Sequence, residues 1–340
     1  MVAVDAMGGD HAPEAPVRGA VEAARTMGIP VCLVGDGEKI RAVMDAMPDG
    51  AGRDARDLVT VRHASEVVAG DDQPVAAIRR KKDSSMAVAL AMVRDGEASA
   101  VVSAGNTGAL MAGGVLILGR VEGVDRPALS TILPTENGKG VLMLDVGANV
   151  DSKPEHLVQF AVMGSVYASR VLGWKPVSVA LLNIGSEQGK GCETVREAFT
   201  RLRARGDFAG NVEAKDVLSG GVNVVVCDGF AGNVFLKTLE GAAEMIFKSL
   251  KKEIGKGYLS KLGALMLKPA FAGLKARLDY SEYGGAPLLG LKKACIKCHG
   301  RSGPRAIMNG CRVAFQYAGS GAIAFLEEEL RPSSIPEGGS

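Results

Sequence analysis

Four stretches end an apolar run in a polar side chain, pass through glycine and then open a helix. They are Val101-Val-Ser-Ala-Gly-Asn-Thr-Gly108, Met143-Leu-Asp-Val-Gly-Ala-Asn149, Leu181-Leu-Asn-Ile-Gly-Ser-Glu-Gln-Gly-Lys-Gly191 and Val226-Cys-Asp-Gly-Phe-Ala-Gly-Asn233. Glycine lets a backbone come close to a ligand. A helix N-terminus offers free N–H groups and the positive end of its dipole to an anion. Set along one carboxyl edge of a parallel sheet, these joins predict a cleft for a phosphate-bearing or otherwise anionic substrate. Ordinary strand-to-helix turns also favour Gly and Asn, and that is the competing explanation.

Ser103, Asn106 and Thr107 begin a helix and are the first choice for phosphate contacts, joined by Gly8, Gly9 and Asp10 after the first strand and by Asp145, Asn149 and Asn183 at later strand ends. Asp145 and Asp228 can orient ligand groups, accept a proton or cap the helices that follow. Asn233 is a helix-start donor. Lys190, between two glycines, has two readings: a side chain that reaches the anion or an oxyanion, and a solvated loop lysine. His299 is either an acid/base near neutral pH or a hydrogen-bonded structural histidine. His11 competes with it, whereas His63 and His156 look peripheral.

No join has the G-x-G-x-x-G or G-x-x-x-x-G-K-[ST] spacing, so neither a dinucleotide nor any other cofactor is expected. Cys295-Ile-Lys-Cys298-His299 matches the C-x-x-C-H haem-attachment pattern, and Cys311 offers a further zinc ligand. Haem attachment follows export, and zinc knuckles usually come in pairs. A strand at Cys295 and a loop at His299 is therefore the favoured reading; zinc or redox is the alternative, and no metal site is assigned.

Strand-length apolar runs alternate with helical periods from Val2 to about Leu330, the mark of an α/β fold with a largely parallel sheet. Ser84-Ser85 caps a helix to Val93, a long helix starts near Asn233, and Gly303 opens another that runs to about Leu330. Residues 1–332 are expected to form one domain and 333–340 a flexible tail. Between 254 and 278 lie Lys256, Lys261, Lys268, Lys275 and Arg277 but no Asp or Glu. Tyr258, Leu259, Leu262, Leu265 and Met266 follow helical spacing, Pro269 interrupts, and Phe271, Leu274 and Leu278 resume it. Two short amphipathic helices of this kind can lie in an anionic membrane surface, form a dimer interface or pack in a core.

The chain has 340 residues, of which 47% are hydrophobic and 23% charged, as in a soluble globular protein. Lys and Arg total 40 against 38 for Asp and Glu, and aromatics are only 4%, which argues against nucleic acid as a partner. Met1–Asp5 lacks the basic region and apolar core of a secretory signal, and no apolar run approaches a membrane span. The cysteines are accordingly expected to be reduced.

The chain resembles the bacterial phosphate acyltransferases of fatty acid and phospholipid synthesis. The resemblance is carried by Asp5-Ala-Met-Gly-Gly-Asp10, Arg80-Lys-Lys-Asp-Ser-Ser-Met86, Val102-Ser-Ala-Gly-Asn-Thr-Gly-Ala-Leu-Met111, Leu144-Asp-Val-Gly-Ala-Asn149, Gln159-Phe-Ala-Val-Met-Gly164, Leu182-Asn-Ile-Gly185, Gly210-Asn-Val-Glu213, Val226-Cys-Asp-Gly-Phe230 and Glu282-Tyr-Gly-Gly-Ala-Pro-Leu-Leu-Gly290. Lys292–Cys298 departs from the family pattern in being more basic and cysteine-rich. The resemblance implies a three-layer α/β/α sandwich related to isocitrate and isopropylmalate dehydrogenases, with a protruding amphipathic helical segment. It implies reversible transfer of a fatty acyl group from acyl carrier protein to inorganic phosphate. It also implies a cytoplasmic homodimer on the membrane surface, supplying a downstream membrane glycerol-3-phosphate acyltransferase. Arg79, Arg80, Lys81 and Lys82, otherwise a solvated face, then gain a docking role toward the acidic carrier, extended by Lys292, Lys293, Lys297 and Arg301. Leu259, Leu262, Leu265, Met266, Phe271 and Leu274 become the membrane contacts.

In that reaction phosphate is already an adequate nucleophile and a thiolate leaves readily. The protein's task is to hold an anion against a carbonyl and stabilise the developing oxyanion. Direct transfer assisted by Lys190, Asp228, Asn233 and His299 is favoured over a covalent route through Cys192, Cys227 or a loop serine. A dehydrogenase would need a nicotinamide signature and clustered carboxylates for a metal. A non-catalytic carrier-protein or membrane adaptor would not need anion-ready loops.

Overall fold

The computed structural model describes residues 1–48, 52, 55, 57–271, 273 and 284–331. Its strands are β1 (Val2–Asp5), β2 (Val31–Gly35), β3 (Val59–His63), β4 (Ala100–Ser103), β5 (Ala128–Leu133), β6 (Val141–Leu144), β7 (Val179–Asn183), β8 (Phe208–Glu213), β9 (Val224–Val226), β10 (Ala286–Leu289) and β11 (Ala294–Lys297). They form one sheet in the order β3-β2-β1-β4-β11-β10-β5-β6-β9-β7-β8. Central strands such as β1, β4, β9 and β11 are built mainly of Val, Ala and Ile and are buried along their length, as sequences covered on both faces must be.

The helices are α1 (Glu14–Met27), α2 (Gly37–Asp45), α3 (Pro74–Arg80), α4 (Ser85–Arg94), α5 (Thr107–Gly113, continued by a π-turn to Leu118), α6 (Pro154–Arg170), α7 (Glu193–Leu202), α8 (Gly229–Ile254), α9 (Tyr258–Met266), α10 (Pro304–Gly319) and α11 (Ala322–Leu330). Helices α1, α2, α6, α7, α10 and α11 pack on one face of the sheet, and α3, α4, α5 and the first turns of α8 on the other. The result is a three-layer α/β/α sandwich with a largely parallel sheet. Ser84, Asn106 and Asp228 cap α4, α5 and α8 by accepting hydrogen bonds from Ala87 N, Ala109 N and Ala231 N.

Two strands escaped sequence reading. Strand β8 is a half-exposed edge strand containing Gly210 and Asn211, and β10 contains Pro287, a residue that argues against a central strand. The C-terminal helix also divides at Gly321, whose φ of 70° ends one helix and starts the next.

Strand β10 matters most for function. It is antiparallel to both β11 and β5, and β5 is antiparallel to β6. One parallel block, β3-β2-β1-β4-β11, therefore runs opposite to the second, β6-β9-β7-β8. The expectation that the four glycine joins share one rim is corrected accordingly. The join after β4 ends the first block, beside the loop after β1; those after β6, β7 and β9 end the second. Over the five strand steps from β4 to β9, twist of about 20–25° per step turns the blocks by roughly a third of a turn. Their carboxyl ends are thus not diametrically opposed.

Candidate active site

The last residues of three neighbouring strands in the first block are Asp5, Ser103 and Lys297, adjacent in register and directed to the face that carries α4, α5 and α8. Asp5 is buried. It accepts hydrogen bonds from Ser85 Oγ and Ser103 Oγ, each at 2.6 Å, and from Met7 N at 3.3 Å. Burial raises the Asp5 pKa above the ordinary 3.8, against the opposing pull of those donors. Ser103 Oγ in turn accepts from Gly105 N at 3.0 Å. The loops here can close only because Gly8 and Gly9 lack side chains. A Cβ on Gly8 would clash with Asp5 Oδ2 and lie 2.7 Å from Gly105 N, and one on Gly9 (φ 103°) would meet Ala104 Cβ at 2.9 Å. Asp10 N donates to Gly300 O at 2.7 Å, tying this loop to the one after β11.

Asn106 holds the loop before α3. Its Oδ1 caps α5, and its Nδ2 donates to the carbonyls of Ala69, Gly70 and Asp72. The side chains of Ser103 and Asn106 therefore shape this edge, and Thr107 is half-buried on the first turn of α5.

In the second block, Asp145 is completely buried. Its carboxylate accepts from Leu129 N, Gly147 N and Ala148 N at 3.1, 3.2 and 2.9 Å, and from Asn149 N and Nδ2 at 2.7 and 2.9 Å. Asn149 Nδ2 also donates to Pro127 O at 2.8 Å, which commits both amide hydrogens. Burial raises the Asp145 pKa as well. Asp145 and Asn149 thus build a loop from the inside. Asn183 does the same for the loop after β7, donating to Lys190 O and accepting from Ile184 N. Lys190 is exposed, and Asn233 stands exposed on α8 beside Gly147. Val150, Ile184 and Phe230, one in each of these three adjacent loops, are 67%, 81% and 63% exposed.

Helix α8 links the two ends. It begins at Asp228, in the second block. Asn233, Lys237 and Glu240 follow at the four- and three-residue spacings that share a helix face. His299 in the first block lies within electrostatic reach of Lys237 and Glu240. Its Nδ1 accepts from Arg301 N at 3.2 Å, which leaves the proton on Nε2. Burial, and next Lys237, lower the His299 pKa below 6.5, so the neutral ring is a hydrogen-bond donor near pH 7.

Sequence reasoning missed Asp5, Ser85 and Lys237, and it assigned Lys297 to the docking surface, whereas Lys297 is only 8% exposed. The strand register that joins Asp5 to Ser103 and Lys297 spans most of the chain. Within the basic run, Arg79, Arg80 and Lys82 are exposed, while Lys81 is committed to Asp72 and to Val67 O. Cys295 and Cys298 point into opposite core layers, and burial pushes both thiols up to about 12, so they form neither a shared ligand pair nor a thiolate. Cys227 is likewise buried, with its pKa raised by burial and then by Asp145.

Leu262, Leu265 and Met266 on α9 are 60%, 67% and 78% exposed, and Phe271 is half-buried. The Leu259 side chain, Leu274 and the 333–340 tail lie outside the described residues. Among the described residues no helix is long and apolar enough to cross a membrane.

The family model described as "Fatty acid synthesis protein" matches residues 1–324. The phosphate acyltransferase of Bacillus licheniformis is 49% identical over 97% of this chain and 98% of its own length. That of a Geobacter species is 52% identical over 98% and 93%. In fold, the chain is similar to a phosphotransacetylase from Streptococcus pyogenes (TM-score 0.62, 17% identity, 93% of each chain). It is also similar to a branched-chain phosphotransacylase from Enterococcus faecalis (TM-score 0.56, 14% identity, 94% of this chain and all of the other). The chain therefore belongs to the fatty acid synthesis protein family of phosphate acyltransferases, and it is an acyltransferase that joins an acyl group to phosphate.

Proposed function

We propose that the enzyme moves a fatty acyl group reversibly from the thioester of acyl carrier protein to inorganic phosphate, making acyl phosphate for phospholipid synthesis. The observation that carries this reading is the face of α8, where Asn233, Lys237 and Glu240 span the distance from the Asp228 loop to His299. Phosphate sits at the first block, at the loops carrying Gly8–Asp10, Thr107 and His299–Gly300, beneath which the buried Lys297 ammonium donates to Ala104 O and Cys298 O. The acyl chain lies toward the second block, against Phe230, Ile184 and Val150, with Asn233 and Lys190 near the thioester carbonyl.

Phosphate attacks that carbonyl directly. The new C–O bond forms, the carbonyl oxygen takes up negative charge beside amide, ammonium and imidazole donors, and the carrier thiolate departs with its electron pair. Asp228, already capping α8, orients Asn233 through the helix it starts. Cys227 is buried, and burial and then Asp145 raise its pKa, which favours this route over an acyl-enzyme on that thiol.

Arg79, Arg80 and Lys82 suit an acidic carrier protein. The exposed leucines of α9 suit peripheral contact with a membrane, where a glycerol-3-phosphate acyltransferase would take the product, and the family resemblance supports a cytoplasmic homodimer. Residues 1–332 are read as one domain. Incubating the enzyme with acyl carrier protein thioester should give acyl phosphate only when phosphate is present; thioester loss without phosphate would refute direct transfer. Leu262→Glu with Leu265→Glu should abolish binding to anionic liposomes, and unchanged binding removes the membrane claim.

A further inference from the structure

We infer that Lys297 is a positioning residue for phosphate, its ammonium drawing the Ala104 and Cys298 carbonyls inward and so presenting the loops that follow them to the anion. The inference rests on the reading that phosphate binds at the ends of the first block. Lys297 ends β11, opposite Ser103 on β4. Its Nζ donates to Ala104 O at 3.4 Å and to Cys298 O, one carbonyl at the end of each strand. A peptide's N–H points away from its C=O. Drawing both oxygens inward turns the His299 N–H the other way, into the exposed loop within electrostatic reach of Lys237, while Gly105 N–H donates to Ser103 Oγ at 3.0 Å and so fixes the loop that carries Asn106 and Thr107.

Stability alone does not account for a charge in this position. Lys297 is 8% exposed, and it has no partner carboxylate in hydrogen-bond contact among the described residues. Taking an ammonium out of water costs about what its attraction to a good partner returns, so a buried charge is weak evidence of a stabilising role. Burial pulls the Lys297 pKa below the ordinary 10.5, while its neighbours Cys298 and Cys295, with Asp5 at the end of β1 and Asp10 in the loop that follows it, pull the other way. The same ammonium that fastens the two loops adds a positive charge under the anion.

Lys297→Met keeps the length of the side chain and removes the charge. Steady-state kinetics should show the phosphate KM rising about tenfold or more, with the acyl-donor KM and the kcat at saturating phosphate within about threefold of wild type. The melting temperature should be unchanged or higher. Lys297→Arg should recover most of the phosphate affinity. A folded Lys297→Met enzyme with an unaltered phosphate KM overturns the inference, as does an equal loss in both substrates, which would mark a structural role. If wild type itself shows no saturable phosphate dependence, the underlying reading fails instead. Hydrogen exchange on wild type provides a second test that needs no variant. Added phosphate should slow exchange at Gly105–Gly108 and His299–Ser302 together, and protection of one loop alone, or of neither, contradicts the clamp.

Discussion

Asp5 and Asp145 hold equivalent places in the two parallel blocks. Each follows an apolar strand, each is buried on the α8 side of the sheet, and each has its pKa raised by burial. Their partners differ in kind. Backbone N–H groups from Leu129, Gly147, Ala148 and Asn149 surround Asp145 and cannot be turned elsewhere without moving the chain. Two serine hydroxyls, which rotate freely, supply most of the bonds to Asp5, and a lysine ammonium lies nearby. One end of the molecule is built as a rigid frame, and the other as an adjustable polar pocket. In the proposed reading the frame holds the acyl group and the pocket holds the phosphate.

The largest expected effect follows from the frame. Asp145→Ala strands several buried N–H groups and should lower unfolding free energy in urea by about 3–5 kcal/mol, whereas Asp5→Ala should cost about 1–3 kcal/mol because its hydroxyls can find other acceptors. Equal losses would erase the distinction between the two ends. Next comes the donor at the pocket. His299→Phe should reduce kcat about a hundredfold, as removal of an oxyanion donor does, and His299→Gln, which keeps an N–H, should lose far less. Because the His299 pKa is lowered, the ring is neutral above about pH 6.5, and neither variant should alter the alkaline limb of the rate profile.

A smaller change is expected where α8 meets the frame. A Cβ on Gly232 would strike Asp145 O and approach Cys227 Sγ at 2.8 Å. Gly232→Ala should therefore destabilise by about 1–3 kcal/mol, read as a shift of the urea midpoint. The smallest effect concerns pH. The folded-state pKa of Asp5 is raised, so above 3.8 the unfolded chain ionises first and wild type loses stability relative to an uncharged variant. The stability of Asp5→Asn relative to wild type should thus increase as pH rises through the window above 3.8. A constant difference would mean that Asp5 is not perturbed.

Much of this organisation is legible in the residues themselves. Val/Ala runs announce fully covered strands, Ser84 and Asp228 announce helix starts, and the glycine joins mark the carboxyl ends of strands. The reversal between the blocks is not legible, because it depends on a four-residue strand containing Pro287 that pairs with segments far away in sequence. Local patterning says nothing of long-range register, so Asp5 appeared only within a motif and Lys297 read as one more surface cation. Asn106, Asn149 and Asn183 were recognised as polar groups at the right places. Their commitment to carbonyls and caps emerges only once the loops are folded against one another. Glycines 8 and 9 are expected to bring the backbone close to a ligand; the close approaches the structure shows are to Asp5, Ala104, Gly105 and Gly300 of the protein itself.

The central claim is that phosphate belongs to the adjustable end. A crystal structure of the wild-type enzyme soaked in phosphate tests it most directly. The anion should lie between the Gly105–Thr107 segment and His299, within hydrogen-bond reach of the Thr107 and His299 N–H groups and on the side of Lys237. Phosphate found instead only at the Asp145–Asn149 and Asp228 loops would contradict the account.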